Sequence, residues 1–337
     1  MKRMHRMPAA LARLSPAVLS PAVLSVAAAL AAAPGLAQER FPSQPIRIIV
    51  PFAPGGSVDL AGRLIAAEAE PAMGAKVLVE NRGGAGTLIG TKAVTQSRPD
   101  GYTVLVNTST VLTNALAHRE AGYTMKDLAT VSGVGVTHCV LITNSQMPIR
   151  SIQDLVAYSR SNPGKLNVSG VGAGNITNLV WDRFRRTAKL EVQEINFSGG
   201  APAMQALVAG QTQLFFAAPV SVRPGIIAGT ARGIAVTGDT RLAVYPDVPT
   251  FREQGITNMP SCLWYGAFVP VKTPANVLSV LQAGFAKAMA SDSLRNGLLK
   301  VGVEPWSKSP AEFDKLLAED EKVLAADIAT SGFKAGE

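Results

Sequence analysis

Two adjacent glycines, Gly55 and Gly56, lie between an apolar run and a predicted helix, an arrangement that suits an anion-binding loop. The run at residues 47–50 is typical of a strand buried on both faces, and Pro51 and Pro54 end it. The first N–H groups of a helix have no intrahelical partner and carry its positive dipole end, so main chain alone can hold a carboxylate or phosphate. A plain turn without a ligand is the alternative.

An apolar strand followed by a polar loop recurs three times further along the chain. The predicted strand and loop pairs are residues 102–106 with 107–110, 166–169 with 170–175, and 192–197 with 198–202. A helix at 203–209, ended by Gly210, follows the last loop. Ligands of open α/β sheets bind at loops that leave the carboxyl ends of the strands. We therefore expect these loops to line one small polar cleft.

The first 37 residues have the pattern of a secretory signal peptide, which predicts export. Basic residues precede an apolar stretch that reaches Ala33, and Gly35 and Ala37 stand at positions −3 and −1 of a cleavage site before Gln38. The basic residues are Lys2, Arg3, Arg6 and Arg13. Prolines within the stretch disfavour the alternative of an uncleaved membrane anchor.

Removal of this leader lowers the net charge from +8 to +4, because it contains four basic and no acidic residues. The strongest basic run that remains is residues 183–186, which we interpret as a solvated helix face. A nucleic-acid surface would need a basic stripe with stacking aromatic residues. We therefore expect no nucleic-acid partner.

Motifs typical of catalysis or metal binding are missing from the mature chain, so we expect no cofactor and no metal. It has no G-x-S-x-G, H-E-x-x-H or G-x-x-x-x-G-K-[ST] sequence. His138 and Cys139 are neighbours in a predicted strand, so their side chains point to opposite faces. His118 is expected to be exposed in a polar loop. Asp59 follows the glycine loop, where helix capping is the alternative to a ligand role.

Alternating strands and helices predict an α/β fold with each sheet covered on both faces. About 300 mature residues suffice for one large or two medium domains. Helix starts are predicted by a capping box at Ser151 and Asp154, by a fuller one at Ser309 and Glu312, and by Pro274. The last helix has an amphipathic pattern and should pack on the body of the protein.

Five segments occur in order along the mature chain, from Phe41 to about Lys334. They are residues 51–59 (PFAPGGSVD), 79–87 (VENRGGAGT), 98–103 (RPDGYT), 246–250 (PDVPT) and 264–266 (WYG). Together they resemble the Bug-type solute-binding proteins of tripartite tricarboxylate transporters. The resemblance implies a periplasmic receptor that captures a small carboxylate, with membrane subunits of such a transporter as partners. A sensing role is left open, and we expect a monomer.

The fold implied by this resemblance is the two-lobed periplasmic binding protein fold, type II, with a mixed sheet flanked by helices in each lobe. Lobe 1 would be residues 38–138 and 263–337, and lobe 2 would be residues 139–262, joined by two crossover strands. The residues that the resemblance, together with the loop chemistry, assigns to the ligand are Phe52, Ala53, Pro54, Gly55, Gly56, Ser57, Asp59, Thr108, Ser109, Gly172, Ala173, Asn175, Asn178, Ser198, Gly199, Gly200 and Ala201.

Departures from the family pattern bear on the ligand. Asn175 and Asn178 replace a hydroxyl and an imidazole, and Gln213 and Ala217 stand where acidic residues are usual. An ammonium group held in a cleft needs an anionic partner. We therefore expect a carboxylate that lacks an amino group.

Three alternatives stay open. An exported enzyme acting on a small carboxylic acid would need a nucleophile or acid/base pair in the cleft. A cell-surface interaction module would need an exposed apolar patch. The resemblance places Cys139 and Cys262 at the two crossovers, where they are either buried thiols or a disulfide at the hinge.

Overall fold

The computed structural model describes residues 40–331 except 119, 173–174, 258, 260–261 and 307. The predicted signal peptide, Ala173 and Gly174 therefore lie outside the described residues. The strands are β1 (Ile46–Val50), β2 (Val77–Asn81), β3 (Thr103–Thr108), β4 (Leu128–Thr137), β5 (Val140–Asn144), β6 (Leu166–Gly170), β7 (Val192–Asn196), β8 (Leu214–Ala217), β9 (Ala231–Val236), β10 (Leu263–Pro270) and β11 (Glu304–Pro305).

Helices alternate with these strands as the sequence predicts. The α-helices in the described part are α1 (Ser57–Met73), α2 (Leu88–Thr95), α3 (Thr110–Ala117), α4 (Ile152–Ser161), α5 (Ile176–Thr187), α6 (Gly200–Val208), α7 (Pro219–Ile227), α8 (Ala275–Met289), α9 (Asp292–Lys300) and α10 (Pro310–Ser331). Short 3-10 helices lie at Ala85–Thr87, Met125–Asp127 and Arg252–Gln254.

The described strands form two mixed sheets with the same internal order. The first sheet runs β11-β4-β10-β3-β1-β2, with β1 parallel to β2 and β3, and β10 antiparallel to β3 and β4. The second sheet runs β7-β6-β8-β5-β9, with β6 parallel to β7 and β8, and β5 antiparallel to β8 and β9. In both sheets one antiparallel strand, β10 or β5, is inserted next to the parallel set. The predicted α/β class with two mixed sheets is therefore confirmed.

The chain passes between the sheets twice. Strand β4 ends at Thr137 in the first sheet and β5 begins at Val140 in the second. The return runs from β9, which ends at Val236, to β10, which begins at Leu263. His138 and Cys139 lie between two strands, so the prediction that they are in one strand is wrong, because the backbone changes sheet at this point.

The core follows the predicted apolar faces. Ile48 and Val50 on one face of β1 and Ile49 on the other are buried, which fits a strand covered by helices on both sides. Helix α10 packs against β4 of the first sheet and against α3 and α5, so it contacts helices next to both sheets. Its predicted start is confirmed, since the Ser309 N–H donates to Glu312 Oε2 at 2.8 Å and the Glu312 N–H donates to Ser309 Oγ at 3.3 Å.

Local boundaries differ from the predicted ones by one to three residues. Helix α6 begins at Gly200 instead of residue 203, because Pro202 fits within the first turn, where its missing N–H has no intrahelical acceptor to lose. Strand β3 extends to Thr108, since the polar residues after the apolar run still pair with β10.

Candidate functional site

Asp59 is the centre of a hydrogen-bond network that fixes the glycine-rich loop between β1 and α1. Its carboxylate is 2% exposed and accepts from the Gly55 N–H at 2.9 Å, from Arg63 Nε–H at 3.0 Å and from Asn81 Nδ2–H at 2.9 Å. Burial acts to raise the pKa of Asp59, but the hydrogen bonds and the charge of Arg63 outweigh it, and the pKa lies below its usual value. Asp59 therefore shapes the loop. The residue at the N-cap position of α1 is Gly56, which has no side chain that could cap the helix.

Main-chain N–H groups are what this loop offers to a ligand. Because Asp59 is paired with Arg63, whose Nη2 lies 3.0 Å from Asp59 Oδ1, no unpaired carboxylate stands behind the start of α1. Among the described residues no hydrogen-bond acceptor is found for the N–H groups of Gly56, Ser57 and Val58. These groups lie at the positive end of a 17-residue helix, which favours an anion.

The two glycines of the loop have different roles. Gly55 has a φ of +82°, a left-handed conformation that favours glycine. Gly56 has φ −78° and ψ 170°, which any residue adopts, and a Cβ there would meet only the Ala53 carbonyl oxygen at 3.6 Å. The backbone at Gly56 is therefore compatible with a side chain.

A second glycine-rich loop beside the first was missed as a site by the sequence analysis. The Asn81 Nδ2–H donates to the Phe52 carbonyl at 3.1 Å, which ties the end of β2 to the first loop. Gly84, Ala85, Gly86 and Thr87 then have four consecutive positive φ values. Such values are strained for Ala85 and especially for β-branched Thr87, and strain of this kind clusters at ligand sites. The sequence signal was Gly83-Gly84-Ala85-Gly86, which lies within the family-like segment at residues 79–87.

Polar side chains at the end of β3 are buried. Thr108 is 1% exposed and donates through Oγ1 to Thr110 Oγ1 at 3.1 Å. Ser109 is 2% exposed, and its hydroxyl has no hydrogen-bond partner among the described residues. Tyr265, opposite Thr108 on β10, is fully buried and its hydroxyl lies near Ser57 without a hydrogen bond of ordinary geometry. An unpaired buried hydroxyl costs about 1–3 kcal/mol, so these groups suit a ligand that supplies the partner.

In the second sheet, the side chains of the two asparagines of the predicted site form hydrogen bonds within the protein. The Asn175 side chain caps α5, since its Oδ1 accepts from the Thr177 N–H at 3.1 Å. The Asn178 Nδ2–H groups donate to the Gly172 carbonyl at 3.0 Å and to Asn196 Oδ1 at 2.9 Å. Asn178 therefore joins the loop after β6 to the end of β7. Asn196, which the sequence analysis did not select, belongs to the same cluster.

Glu194 is the titratable group of this cluster. Burial raises its pKa to about 7, helped by the charge of Asp182 and opposed by Asn196 and Arg185. A Cβ at Gly170 would come within 2.8 Å of Glu194 Oε1, so the carboxyl group packs against the end of β6. Glu194 and Asn178 face one small recess beside the predicted loop.

The last predicted loop, at residues 198–201, is partly solvent-facing. Ser198 and Ala201 are exposed, whereas Gly199 and Gly200 are half-buried. A Cβ at Gly200 would approach Ser221 Oγ to 2.6 Å, so glycine there allows α6 to pack on α7. The loop presents the N-terminus of α6 towards the carboxyl end of its sheet, as the sequence predicts.

Gln213 carries no information about the ligand, which corrects the sequence argument. It precedes β8, at the end of the strand opposite to Ala217, and its Oε1 accepts from the Asn167 N–H at 2.9 Å. Its Nε2–H donates to the Gly210 carbonyl at 3.1 Å. Ala217 is at the carboxyl end of β8 and is 1% exposed, so of these two departures only Ala217 lies on the side of the ligand loops.

Two further expectations are wrong, namely that His118 is exposed and that the run at residues 183–186 is a solvated helix face. His118 is half-buried at the end of α3, where burial and then the nearby Lys92 lower its pKa, because the helix end packs against the body. The run at residues 183–186 is not simply a solvated face. Arg183 pairs with Asp327 on α10 at 3.0 Å, and Phe184 is fully buried. Within the described ranges, no group of three or more His, Cys, Asp or Glu side chains could hold a metal.

The structure brings the predicted residues together in two groups. Residues 52–59 and 108–109 stand at the carboxyl ends of strands in the first sheet, and Gly172, Asn175, Asn178 and residues 198–201 stand at those of the second. No hydrogen bond among the described residues joins the loops of one sheet to those of the other. Ser109 of the first group and Ile176, the neighbour of Asn175 in the second, line one cavity.

This arrangement is matched by a known receptor family. The profile of the tripartite tricarboxylate transporter family receptor matches residues 61–332. The chain belongs to that receptor family. A curated relative, a UPF0065 protein of Bordetella pertussis, is 30% identical over 293 residues, which is 87% of this chain and 91% of that protein.

Solved structures of this family share the fold. The periplasmic binding protein BugD superposes with a TM-score of 0.81 at 26% identity, over 87% of this chain and 99% of BugD. Rpa4515 of R. palustris, solved with adipate, superposes with a TM-score of 0.82 at 27% identity, over 87% of this chain and 99% of Rpa4515. MatC from Rhodopseudomonas palustris, solved with malate, superposes with a TM-score of 0.79 at 27% identity, over 86% of this chain and 100% of MatC. The two-lobed periplasmic binding protein fold is therefore confirmed.

Proposed function

We propose that this receptor binds a small carboxylate without chemical change, between the loops of its two sheets. The observation that carries the proposal is the helix start at Gly56–Val58, where the N–H groups have no acceptor among the described residues and the nearby Asp59 is neutralised by Arg63. A carboxylate supplies the missing acceptor and the complementary charge. Relatives of the same fold that hold adipate and malate support this ligand class.

The site residues would divide by sheet. Residues 52–59 and 108–109 would bind the ligand from the first lobe, and Gly172, Asn175, Asn178 and residues 198–201 from the second. We propose lobe 1 as residues 38–138 with 263–337, and lobe 2 as residues 139–262. The changes of sheet after Thr137 and before Leu263 support these limits.

Export to the periplasm is part of the proposal. The leader pattern supports cleavage between Ala37 and Gln38. The disulfide between Cys139 and Cys262 is the kind of bond that persists in an oxidising compartment. None of the helices that the structure describes is long and apolar enough to cross a membrane. Membrane subunits of a tripartite tricarboxylate transporter are the proposed partners, and the receptor itself is proposed to act as a monomer.

Calorimetry on the mature protein tests this function. Adipate, malate and succinate are titrated, with succinamide as a neutral control of similar shape. We expect one site per chain for at least one acid and no heat from the amide, and micromolar affinity corresponds to about 8 kcal/mol. Nuclear magnetic resonance of the same mixtures should show unchanged acid. Product formation would favour the exported enzyme, and binding of the amide instead of any acid would refute the proposal.

A further inference from the structure

A cavity of about 190 Å³ lies beside the predicted ligand loops. One wall is helix α5, which follows the Gly172–Asn175 loop of the second sheet, and the other walls are α10, β4 and β10 of the first. Most of its lining is apolar, with aliphatic side chains and the rings of Trp264 and Trp306. The aliphatic residues of the lining include Val136, Leu179, Val180, Leu316, Val323 and Leu324.

The charged groups in this lining are satisfied by the protein itself. The Trp264 Nε1–H donates to Asp320 Oδ2 at 2.6 Å, and Arg183 pairs with Asp327 at 3.0 Å. Burial raises the pKa of Asp320, which has no cation beside it among the described residues. The cavity therefore offers an incoming anion no free positive charge from the described residues and one buried carboxyl group that would repel it.

Two lining residues connect the cavity to the predicted ligand loops. Ser109 lines it and is itself a predicted ligand residue, with a buried hydroxyl that has no partner among the described residues. Ile176, the next residue after Asn175, also lines it. A ligand that reaches Ser109 from the polar loops therefore has an apolar space next to it.

We propose that this cavity receives an apolar group of the bound carboxylate, such as a hydrocarbon ring, while the carboxylate itself stays on the main-chain N–H groups of the loops. The inference rests on the proposed function and narrows its ligand class to acids with a ring or branched chain. The volume is sufficient, because an apolar cavity of about 150 Å³ holds benzene. Burying the ring against aliphatic side chains supplies affinity that a short acid cannot gain.

Matched acid pairs that differ by one phenyl ring test the proposal. Acetate is compared with phenylacetate, and succinate with phenylsuccinate, by calorimetry on the mature wild-type protein. We expect the phenyl acid of at least one pair to bind ten times more tightly, which is about 1.4 kcal/mol. The ratio of the two affinities is the measured quantity.

Variants that fill the cavity locate the ring. Val323→Phe adds volume at a residue that is 49% exposed and so tolerates a larger side chain, and Val180→Phe does so at a buried position. Val280→Phe on α8, at a valine that is 38% exposed and does not line the cavity, is the matched control. We expect each filling variant that remains folded to lower the affinity ratio at least tenfold, and the control to keep it.

The outcomes separate this proposal from the one on which it rests. If the parent acids bind but the phenyl acids bind no better, the cavity proposal is wrong and the carboxylate function stands. If the ratio is high and equal in Val323→Phe and Val280→Phe, the ring lies elsewhere and the proposal is again wrong. If no acid of either pair and none of adipate, malate and succinate binds, both proposals fail together.

Discussion

Cys139 and Cys262 form a disulfide that joins the two passages of the chain between the sheets. Their Cα atoms are 5.3 Å apart, and 123 positions separate them in the sequence. The distance is within the normal range for disulfides. Of the two alternatives that the sequence left open, the structure therefore contains the bridge and not two buried thiols.

Removing this bridge should destabilise the fold. It closes a loop of more than 100 residues. In the chain-entropy model, a cross-link of this size raises the free energy of the unfolded chain by about 4–5 kcal/mol. We expect Cys139→Ala with Cys262→Ala to lower the free energy of unfolding by about 2–5 kcal/mol, measured by urea denaturation. Thiol counting on denatured, unreduced wild type should find no free thiol. Two free thiols per chain would contradict the bridge.

Asp59→Asn should destabilise the protein most at neutral pH. The pKa of Asp59 is below its usual value, so its charged hydrogen bonds stabilise the native state above the unfolded pKa and are lost as pH falls through the folded one. We expect a loss of about 1.5–3 kcal/mol at pH 7 that shrinks below about pH 4. Thermal and urea unfolding at several pH values measure it. Asp292→Asn, at an exposed acid in the first turn of α9, should show no such loss, and a pH-independent effect of Asp59→Asn would disprove the role.

Glu194→Gln should stabilise the protein at neutral pH, in contrast to Asp59→Asn. Burial raises the pKa of Glu194 to about 7, so the native state binds its proton more tightly than the unfolded state and loses stability as pH rises from about 4.5 to 7. A difference of one between the folded and unfolded pKa corresponds to about 1.4 kcal/mol, so the loss of stability is at most about 3.5 kcal/mol. The glutamine variant should therefore gain stability relative to wild type between about pH 5 and pH 8. Glu191→Gln, at an exposed residue just before β7, is the control.

Gly56→Val should abolish ligand binding and leave the fold intact. The backbone of Gly56 is compatible with valine, and no protein atom other than the Ala53 carbonyl lies near the added Cβ, so stability should change little. The added methyl groups would keep a carboxylate away from the N–H groups of the loop. Gly56→Ala should give an intermediate affinity by calorimetry. Unchanged affinity in Gly56→Val would show that the ligand lies elsewhere.

Export should remove the first 37 residues. Cells that express the full chain should contain, in the periplasmic fraction, a protein that begins at Gln38. Mass spectrometry of the intact protein and of its N-terminal peptide measures this. A mature N-terminus upstream of Ala31, or the full leader in the membrane fraction, would refute the cleavage site.

Much of the fold could be predicted because the relevant patterns are local. Apolar runs such as residues 48–50 identify buried strands, and Ser309 with Glu312 identifies a helix start, since both patterns depend on near neighbours in the sequence. Family-like segments such as residues 51–59 then indicated the two-lobed arrangement. Boundaries were less certain because the polar residues of β3 gain their strand partners only from distant β10.

The sequence by itself determined the fold class, the polar loops at the carboxyl ends of the strands and the lack of catalytic motifs. The tertiary structure decided what each side chain in those loops does. It alone showed that Asn81 hydrogen-bonds to Asp59 and Asn178 to Asn196. It also showed that Gln213 lies at the end of β8 that is opposite to the ligand loops. It alone formed the disulfide and the cavity between α5 and α10. The physical reason is that these contacts join residues that are 18 or more positions apart, most of them far more, and the free energy of such contacts depends on the packed chain and not on local sequence.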